Sequence, residues 1–164
     1  MENLQKILER PDFKEEIEEI KGAIRGGIPK RAVDIGIENF FKGFHKGDVA
    51  LLKTTIHKDL YSQTAFVNGK GESIITPGSK AYDNLIGFAK NVKPTDNYFE
   101  KILSYEIHVD GNLASVWTPY EFYNKEKFSH CGSNSFQLFN NNGNWEIVYL
   151  VDNRKKDACK PSQK

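Results

Sequence analysis

The chain has 164 residues, of which 38% are hydrophobic and 12% aromatic, and its formal net charge is +1. This length and composition suit one domain with a sizeable core and exclude a largely disordered chain. There is no basic excess to neutralise a phosphate backbone, and no apolar run approaches the roughly 20 residues of a membrane span. We therefore expect neither nucleic acid nor a membrane as a partner.

Residues 1–30 are predicted to form an N-terminal helical extension. Apolar residues recur at i, i+4, i+7 and i+11, the spacing of one helix face, at Phe13, Ile17, Ile20 and Ile24. The run from Gly26 to Pro29 predicts the end of this helix. Its opposite face is acidic and would be repelled by anionic lipid, so we expect the apolar face to pack on protein.

Two further helices and a strand are predicted next. A second helix carries an apolar stripe at Val33, Ile37, Phe40, Phe41 and Phe44. Gly47 suits a left-handed C-cap, and Asp48 can cap a short helix that follows. A strand over Ile56–Val67 comes next, and Thr76-Pro77 predicts the start of another helix, which Pro94 closes.

From Tyr98 onward the hydrophobic period changes to two, which indicates strands. Four are predicted: Tyr98–Val109, Leu113–Tyr123, Phe128–Phe139 and Trp145–Asn153. Turn residues separate them, so they form an antiparallel meander. Helices followed by such a meander indicate an α+β fold. Residues 155–164 are polar and are predicted to form a flexible tail.

Side-chain alternation predicts which residues face the helices. Odd positions are expected inward on the first of the four strands, even positions on the second and third, and odd positions again on the last. With a three-residue loop at Asn124–Glu126, Tyr120 would oppose His130 and Val116 would oppose Asn134. The inner face then carries a polar group of residues: Tyr105, Thr118, Tyr120, His130, Asn134 and Tyr149.

This polar group has two interpretations. It is either a self-satisfied hydrogen-bond network in the core or the polar part of a small-molecule pocket among aromatic side chains. The pocket is favoured because several polar groups converge there. Pro119 adds a complication, since a proline within a strand often marks a bulge, and a bulge would exchange the two faces beyond it.

The outer face is also unusually apolar. Five large residues are expected to project there: Leu113, Trp117, Tyr123, Val148 and Leu150. A homodimer through this face is therefore expected.

The segment Ile102–Arg154 resembles the SnoaL-like, nuclear transport factor 2-like superfamily, and most closely its lumazine-binding branch. The matching motifs are W-x-P-Y-x-F-Y at 117–123, F-x-H-C-G-x-x-x-F at 128–136, and G-x-W-x-I from Gly143. The resemblance extends over residues 31–154. Two positions depart from the branch pattern, Glu126 where glycine is usual and Asn153 where threonine is common.

The resemblance implies a cone of curved antiparallel sheet wrapped around helices, with a central cavity. Members of the superfamily include isomerases, cyclases, dehydratases and non-enzymatic binding domains, so the fold does not fix a function. Binding of a small, partly apolar organic molecule is the favoured prediction. The alternative is a cofactor-free isomerase, dehydratase or cyclase.

For an enzyme, Tyr120 and His130 are the candidate catalytic pair, since histidine titrates near neutrality and a phenol can polarise a carbonyl. A purely structural hydrogen bond between them is the competing interpretation. No pair of acidic residues is expected on the inner face. Asp152 and Arg154 share one face of the last strand, where they could form an ion pair with each other or with Glu121, and the register predicts that they point outward. The absence of an acidic pair weighs against catalysis.

The sequence predicts neither a cofactor nor a metal site. The four histidines lie far apart without ligand spacing, and there is no glycine-rich phosphate loop. Cys131 and Cys159 are too few for a disulfide framework or a zinc site. The N-terminus lacks the apolar stretch of a signal peptide, so a cytoplasmic location is expected unless a leader was removed.

Overall fold

The computed structural model describes residues 11–156 and Cys159. Its helices are α1 (Pro11–Lys46), α2 (Val49–Thr55) and α3 (Ala81–Asn91). Its strands are β1 (Ile56–Val67), β2 (Ser73–Ile75), β3 (Tyr98–Ile102), β4 (Glu106–Asp110), β5 (Leu113–Asn124), β6 (Lys127–Asn141) and β7 (Asn144–Lys155). The predicted α+β class is therefore confirmed.

The first predicted helix does not end at residues 26–29. Instead α1 continues through Pro29 to Lys46. Proline has a helical φ, so the helix can continue through Pro29 with the loss of one backbone hydrogen bond. The side chains of the predicted stripe from Phe13 to Ile24 lie outside the described residues.

The caps around α2 follow the prediction, whereas the start of α3 does not. Gly47 has a φ of 71°, as a left-handed C-cap requires. Asp48 caps α2, since its Oδ1 accepts a hydrogen bond of 2.9 Å from the backbone of Leu51. Helix α3 begins at Ala81, several residues after the predicted Thr76-Pro77 start.

The strands form one curved, open, seven-stranded mixed sheet in the order β2-β1-β7-β6-β5-β3. Strand β4 also pairs with β5 and continues the edge that β3 begins. All neighbouring pairs are antiparallel except β1 and β7, which run parallel. The prediction of an antiparallel sheet is therefore wrong for the pair β1 and β7.

The hairpin turns are tighter than the predicted loops. Asn124 pairs with Lys127, and Asn141 pairs with Asn144, so each connection has two residues. Both residues of each of these two turns have positive φ, which fits the twist of two-residue hairpins: Lys125, Glu126, Asn142 and Gly143.

A bulge at Ser129 sets the register of β5 and β6. Tyr123 opposes Phe128, but Phe122 opposes His130, so Ser129 is the extra residue. Phe128 therefore packs against Tyr123, with ring centroids 5.8 Å apart, instead of facing the helices as predicted. The register is continuous through Pro119, so no bulge exchanges the faces there.

A second bulge, at Val148, exchanges the faces of β7. Ile147 opposes Leu138, but Tyr149 opposes Gln137. Beyond the bulge, Leu150, Asp152 and Arg154 turn toward the helices, and Tyr149 turns away. The predicted inward Tyr149 and outward Asp152 and Arg154 are both wrong for this reason.

The predicted long strand over 98–109 is divided at residues 103–105. Ile102 opposes Tyr120 and Glu106 opposes Trp117. The three residues 103–105 therefore lie opposite only two residues of β5, 118 and 119. Ile107 in β4 points to the core as predicted. In β3 the parity is reversed, and Glu100 points inward while Phe99 is exposed.

The core lies between the C-terminal half of α1 and the inner face of the sheet. Gly43 allows α1 and α2 to approach, because a Cβ there would lie 2.8 Å from the backbone nitrogen of Leu52. Fully buried residues from both layers include Val33, Ile37, Leu52, Val116, Phe136, Leu138 and Ile147. Burial of these side chains stabilises the layer packing that shapes the cavity described below.

One disulfide, between Cys131 and Cys159, joins β6 to the chain beyond β7. The predicted tail over 155–164 is thus held to the sheet at one described position. Among the described residues, no helix is both long and apolar enough to cross a bilayer.

Candidate functional site

A cavity of about 290 Å³ lies between α1, α3 and the inner face of the sheet. Its aromatic wall consists of Phe40, Phe41, Phe44, Phe88, Tyr98 and Phe122. Its polar lining includes His45, Glu100, Tyr120, His130, Asn134, Asp152 and Arg154. This combination of an aromatic wall and a few converging polar groups is typical of small-molecule sites.

Tyr120 and Asp152 are connected across the strand that separates them. The Tyr120 hydroxyl donates a hydrogen bond of 2.6 Å to Asp152 Oδ1. The phenol can cross β6 because Gly132 lies between them, where a Cβ would come within 2.7 Å of the Tyr120 hydroxyl oxygen. Burial, followed by the charge of Asp152, raises the pKa of Tyr120 above its usual range. Tyr120 therefore stays protonated, and its hydroxyl proton remains in the hydrogen bond to Asp152.

Arg154 neutralises the Asp152 carboxylate. Its Nε donates a hydrogen bond to Asp152 Oδ2, so each carboxylate oxygen has a partner. The Asp152 side chain is 13% exposed and the Arg154 side chain is 53% exposed. The guanidinium therefore lies at the solvent side of the cavity and its charge is matched by Asp152.

Glu100 is a buried carboxyl group. Asn134 donates a hydrogen bond of 2.7 Å from Nδ2 to Glu100 Oε1. Burial raises the pKa of Glu100 to about 8, although the Asn134 hydrogen bond opposes this shift. Near neutral pH the group is mostly a carboxylic acid. Because Oε1 accepts from Asn134, Oε2 is the oxygen available to hold the proton.

His45 places an unpartnered nitrogen at the same end of the cavity. Its side chain is 7% exposed, and its buried Nε2 has no hydrogen-bond partner among the described residues. The nearest acidic oxygen, Glu100 Oε2, is 3.7 Å away, beyond hydrogen-bond distance. Burial, followed by the charge of Lys46, lowers the pKa of His45 to about 4. The imidazole is therefore neutral at physiological pH.

His130 packs between two aromatic rings of β5. Its ring centroid is 4.9 Å from that of Phe122, in a stacked arrangement, and 5.7 Å from that of Tyr120, edge to face. Its Nδ1 lies 3.1 Å from Ser129 Oγ. Burial, followed by the charge of Arg154, lowers the pKa of His130. No hydrogen bond between Tyr120 and His130 is present, so their contact is through the rings.

Of the six residues predicted to line a ligand pocket, the structure places three in the cavity. These are Tyr120, His130 and Asn134. Thr118 is fully buried behind Asn134, with 3.5 Å between its Oγ1 and Asn134 Nδ2. Asn134 opposes Thr118 instead of Val116, and Tyr120 opposes Gly132 instead of His130.

The remaining two predicted residues lie elsewhere. Tyr105 packs against the core, where burial, followed by the charge of Asp34, raises its pKa to about 12. Tyr149 is on the outer face, stacks on Tyr61 with centroids 6.0 Å apart, and donates a hydrogen bond of 3.0 Å to Gln63 Oε1. Neither lines the cavity.

Four cavity residues were missed by sequence reasoning: His45, Glu100, Asp152 and Arg154. Glu100 and Asp152 together supply the pair of inner-face acids that the sequence did not predict. The break after β3 accounts for the inward position of Glu100, and the Val148 bulge turns Asp152 and Arg154 inward. Neither irregularity can be detected from the alternation of apolar and polar residues. His45 had a signal, since it follows Phe41 by one helical turn on the apolar stripe.

The described residues contain no group of three or more histidine, cysteine or acidic side chains placed to hold a metal ion. The polar side chains of the cavity can form hydrogen bonds to a ligand, and some of them can exchange protons with it. The chemistry they support is therefore recognition by hydrogen bonds, or acid–base catalysis by Glu100 or His130.

No family model matches this chain. No curated protein matches it either. Several solved structures, however, have a similar fold. A nuclear transport factor 2-like protein of unknown function from Pseudomonas putida is 14% identical, with a TM-score of 0.60, over 80% of this chain and 89% of that one. The chain therefore has the nuclear transport factor 2-like fold.

Two further structural neighbours carry functional names. A putative dehydratase of the nuclear transport factor 2-like family from Streptomyces avermitilis is 9% identical, with a TM-score of 0.56, over 79% of this chain and 97% of that chain. The β subunit of a putative aromatic-ring-hydroxylating dioxygenase from Novosphingobium aromaticivorans is 12% identical, with a TM-score of 0.60, over 79% of this chain and 90% of that chain. At these identities the likeness is one of fold.

Proposed function

We propose that this protein binds a small, partly apolar organic molecule in the cavity between α1, α3 and the sheet. The observation that carries the proposal is the buried Nε2 of His45, which borders the cavity and has no hydrogen-bond partner in the part of the chain that the structure describes. A buried polar atom left without a partner costs roughly 1–3 kcal/mol. A bound molecule that supplies the missing hydrogen bond recovers that cost.

The competing interpretation, a closed core network, accounts for only part of the polar lining. Tyr120, Asp152 and Arg154 satisfy one another, and Asn134 satisfies one oxygen of Glu100. His45 and Glu100 Oε2 are too far apart to satisfy each other. The open part of the network faces the aromatic wall, where a ring-containing molecule would lie.

Extraction of protein purified without added ligand tests the proposal. Organic extracts of the wild type are compared by mass spectrometry with those of Ser62→Phe, which fills the cavity from β1. Lys58→Phe, at an exposed position on the same strand, is the matched control. We expect a molecule in wild-type and control extracts that is missing from Ser62→Phe. Identical extracts from all three would contradict the proposal.

A second candidate function is proton-transfer catalysis by a cofactor-free isomerase, dehydratase or cyclase. The raised pKa of Glu100, about 8, favours it, because a general acid–base works best with a pKa near the operating pH. Tyr120 is already bonded to Asp152, which leaves Glu100 and His130 as the groups able to move a proton. The structural neighbour named as a dehydratase is consistent with this chemistry.

Exchange of carbon-bound protons tests the catalytic candidate. In deuterated buffer at a pD of about 9, where a carboxyl group with a pKa of about 8 is largely ionised, we expect the wild type to speed loss of the methyl proton signal of 2-acetylnaphthalene, with the Glu100 carboxylate taking the proton from the methyl carbon. Glu100→Gln should abolish the acceleration. An equal exchange rate with and without wild-type protein would exclude this activity for such ketones.

Membership of the lumazine-binding branch is also part of the proposal. Its support is the F-x-H-C-G motif, in which Gly132 makes room for Tyr120 and His130 lines the cavity.

The disulfide bears on the cellular location. A disulfide such as Cys131–Cys159 persists in oxidising compartments and is rare in the cytoplasm, which argues against the cytoplasmic expectation.

A homodimer through the outer face of the sheet is proposed as the quaternary structure. Large apolar side chains remain exposed on β3 and β5 at Phe99, Leu113 and Trp117. Such a patch on one face of a sheet is a common site of self-association. Leu150, which was predicted to join this patch, is instead buried toward the helices.

A further inference from the structure

The charge of the cavity restricts what it can hold. Glu100 and His45 are both uncharged near neutral pH, and the charges of Asp152 and Arg154 cancel each other. The titratable and charged groups that interact with this pair from the surrounding elements are Lys46, Tyr105, Tyr120, Asp152 and Arg154, and His130 lines the same cavity. Lys46 acts on His45 from the same helix. The interior thus has no unmatched charge to compensate a buried ion.

The geometry of Glu100 and His45 defines a position for one ligand atom. Glu100 Oε2 and His45 Nε2 are 3.7 Å apart, too far to bond directly. An oxygen placed to one side of the line between them can reach both at about 2.8 Å. Asn134 holds Oε1, so Oε2 keeps its orientation. The aromatic rings of Phe40, Phe44 and Phe88 lie around the same cavity.

We infer that the cavity selects an uncharged, ring-containing molecule whose hydroxyl or carbonyl oxygen lies between Glu100 and His45. This inference rests on the proposed binding function and specifies its ligand class. The Glu100 carboxylic acid donates a hydrogen bond to that oxygen, and the neutral imidazole of His45 supplies the second. A carboxylate in the same place would lose its hydration without gaining a counter-charge.

Three naphthalene probes separate the contributions of ring, oxygen and charge. They are 2-naphthalenemethanol, 2-methylnaphthalene and 2-naphthoate, titrated calorimetrically at pH 6.5. We expect the alcohol to bind roughly tenfold more tightly than either of the other two, because one satisfied buried hydrogen bond corresponds to about that factor. His45→Phe should reduce the preference for the alcohol over the hydrocarbon, because only the hydrogen bond from Glu100 remains. His108→Gln, at an exposed histidine, should preserve it.

The pH dependence adds a readout that a purely structural role of Glu100 would not give. Raising the pH from 6.5 to 9 ionises the carboxylic acid, so alcohol binding to the wild type should weaken by roughly tenfold. Glu100→Gln keeps a neutral donor at this position. Its affinity for the alcohol should show no loss over this pH range.

Two results would overturn the inference. One is 2-naphthoate binding as tightly as the alcohol, which would leave the binding function standing but reject the ligand class. The other is an equal affinity of the alcohol and 2-methylnaphthalene, or failure of all three probes to bind. The extraction comparison with Ser62→Phe uses no probe and decides the proposed function separately.

Discussion

The hydroxyl of Tyr120 on β5 donates a hydrogen bond of 2.6 Å to the carboxylate of Asp152 on β7, two strands away. The bond passes over β6 at Gly132, the one residue type that leaves space for the ring. It organises the polar half of the cavity, because Asp152 in turn holds Arg154. The first prediction concerns this bond.

Replacing Tyr120 with phenylalanine should lower the free energy of unfolding by about 1–3 kcal/mol, since one oxygen of a largely buried carboxylate loses its donor. Tyr149→Phe is the matched control. It removes a hydroxyl from the outer face, where the bond to Gln63 is half-buried. Urea denaturation measures both. Equal losses in the two variants would contradict a special role for the Tyr120–Asp152 bond.

Gly132→Ala should be strongly destabilising, by roughly 2–4 kcal/mol. The added Cβ would lie 2.1 Å from the backbone oxygen of Asn153 and 2.7 Å from the Tyr120 hydroxyl oxygen, so β6 or Tyr120 must move. Gly69→Ala is the control, because a Cβ there meets nothing within 4 Å. Thermal unfolding followed by circular dichroism compares them. A wild-type melting temperature for Gly132→Ala would show that the packing is looser than described.

Glu100 and His45 should give the protein a defined dependence of stability on pH. Folding raises the Glu100 pKa from 4.5 to about 8, so the folded chain keeps a proton that the unfolded chain releases, and stability falls as pH rises through this window. Folding lowers the His45 pKa from 6.5 to about 4, so stability falls as pH drops through that window. Between pH 4.5 and 6.5 the two slopes oppose each other.

Glu100→Gln isolates the Glu100 contribution. Relative to wild type, its free energy of unfolding should rise by about 2 kcal/mol between pH 6.5 and pH 8. Denaturant titrations at the two pH values measure this difference. A constant difference between the two proteins across this range would mean that Glu100 is ionised in the folded state.

The proposed dimer predicts the effect of a charge at the centre of the exposed outer face. Trp117 is 43% exposed in the single chain, and Trp117→Glu should convert a dimer into a monomer. Lys70→Glu, in an exposed turn away from that face, should leave the dimer intact. Sedimentation velocity distinguishes the two. A monomeric wild type, or a Trp117→Glu variant of unchanged mass, would reject this interface.

The disulfide predicts a redox-dependent stability. Cys131 and Cys159 are 28 residues apart, and closing a loop of this size stabilises a fold by about 2–4 kcal/mol. The double variant Cys131→Ser/Cys159→Ser should therefore melt earlier than wild type. Dithiothreitol should lower the melting temperature of the wild type to that of the double variant. A wild-type melting temperature insensitive to the reductant would show that the bond contributes little.

Period-two alternation was sufficient to predict the inner face of β5, and that of β6 beyond the Ser129 bulge. Val116, Tyr120 and Phe136 are buried on one side as predicted, because these strands keep one register for most of their length. The bounds of β1 agree with the predicted Ile56–Val67, and the turn residues Asn68 and Gly69 mark its end in the sequence.

The rest of the site depends on irregularities that alternation cannot reveal. In β7 the residues from Ile147 to Val151 are apolar or aromatic on both faces, so the pattern does not show which face is inward after the Val148 bulge. Glu100 was predicted to point outward because the apolar residues of its strand lie mainly at odd positions. Its inward position follows from the break after β3 and from the hydrogen bond that Asn134 provides.

The most direct test of the central claim is the electron density inside the cavity of a crystal grown from protein purified without added ligand. The proposal predicts continuous density for a ring-containing molecule against Phe44 and Phe88, with an atom within hydrogen-bond distance of His45 Nε2. A cavity containing only solvent, with His45 Nε2 bonded to water or to Glu100, would contradict it.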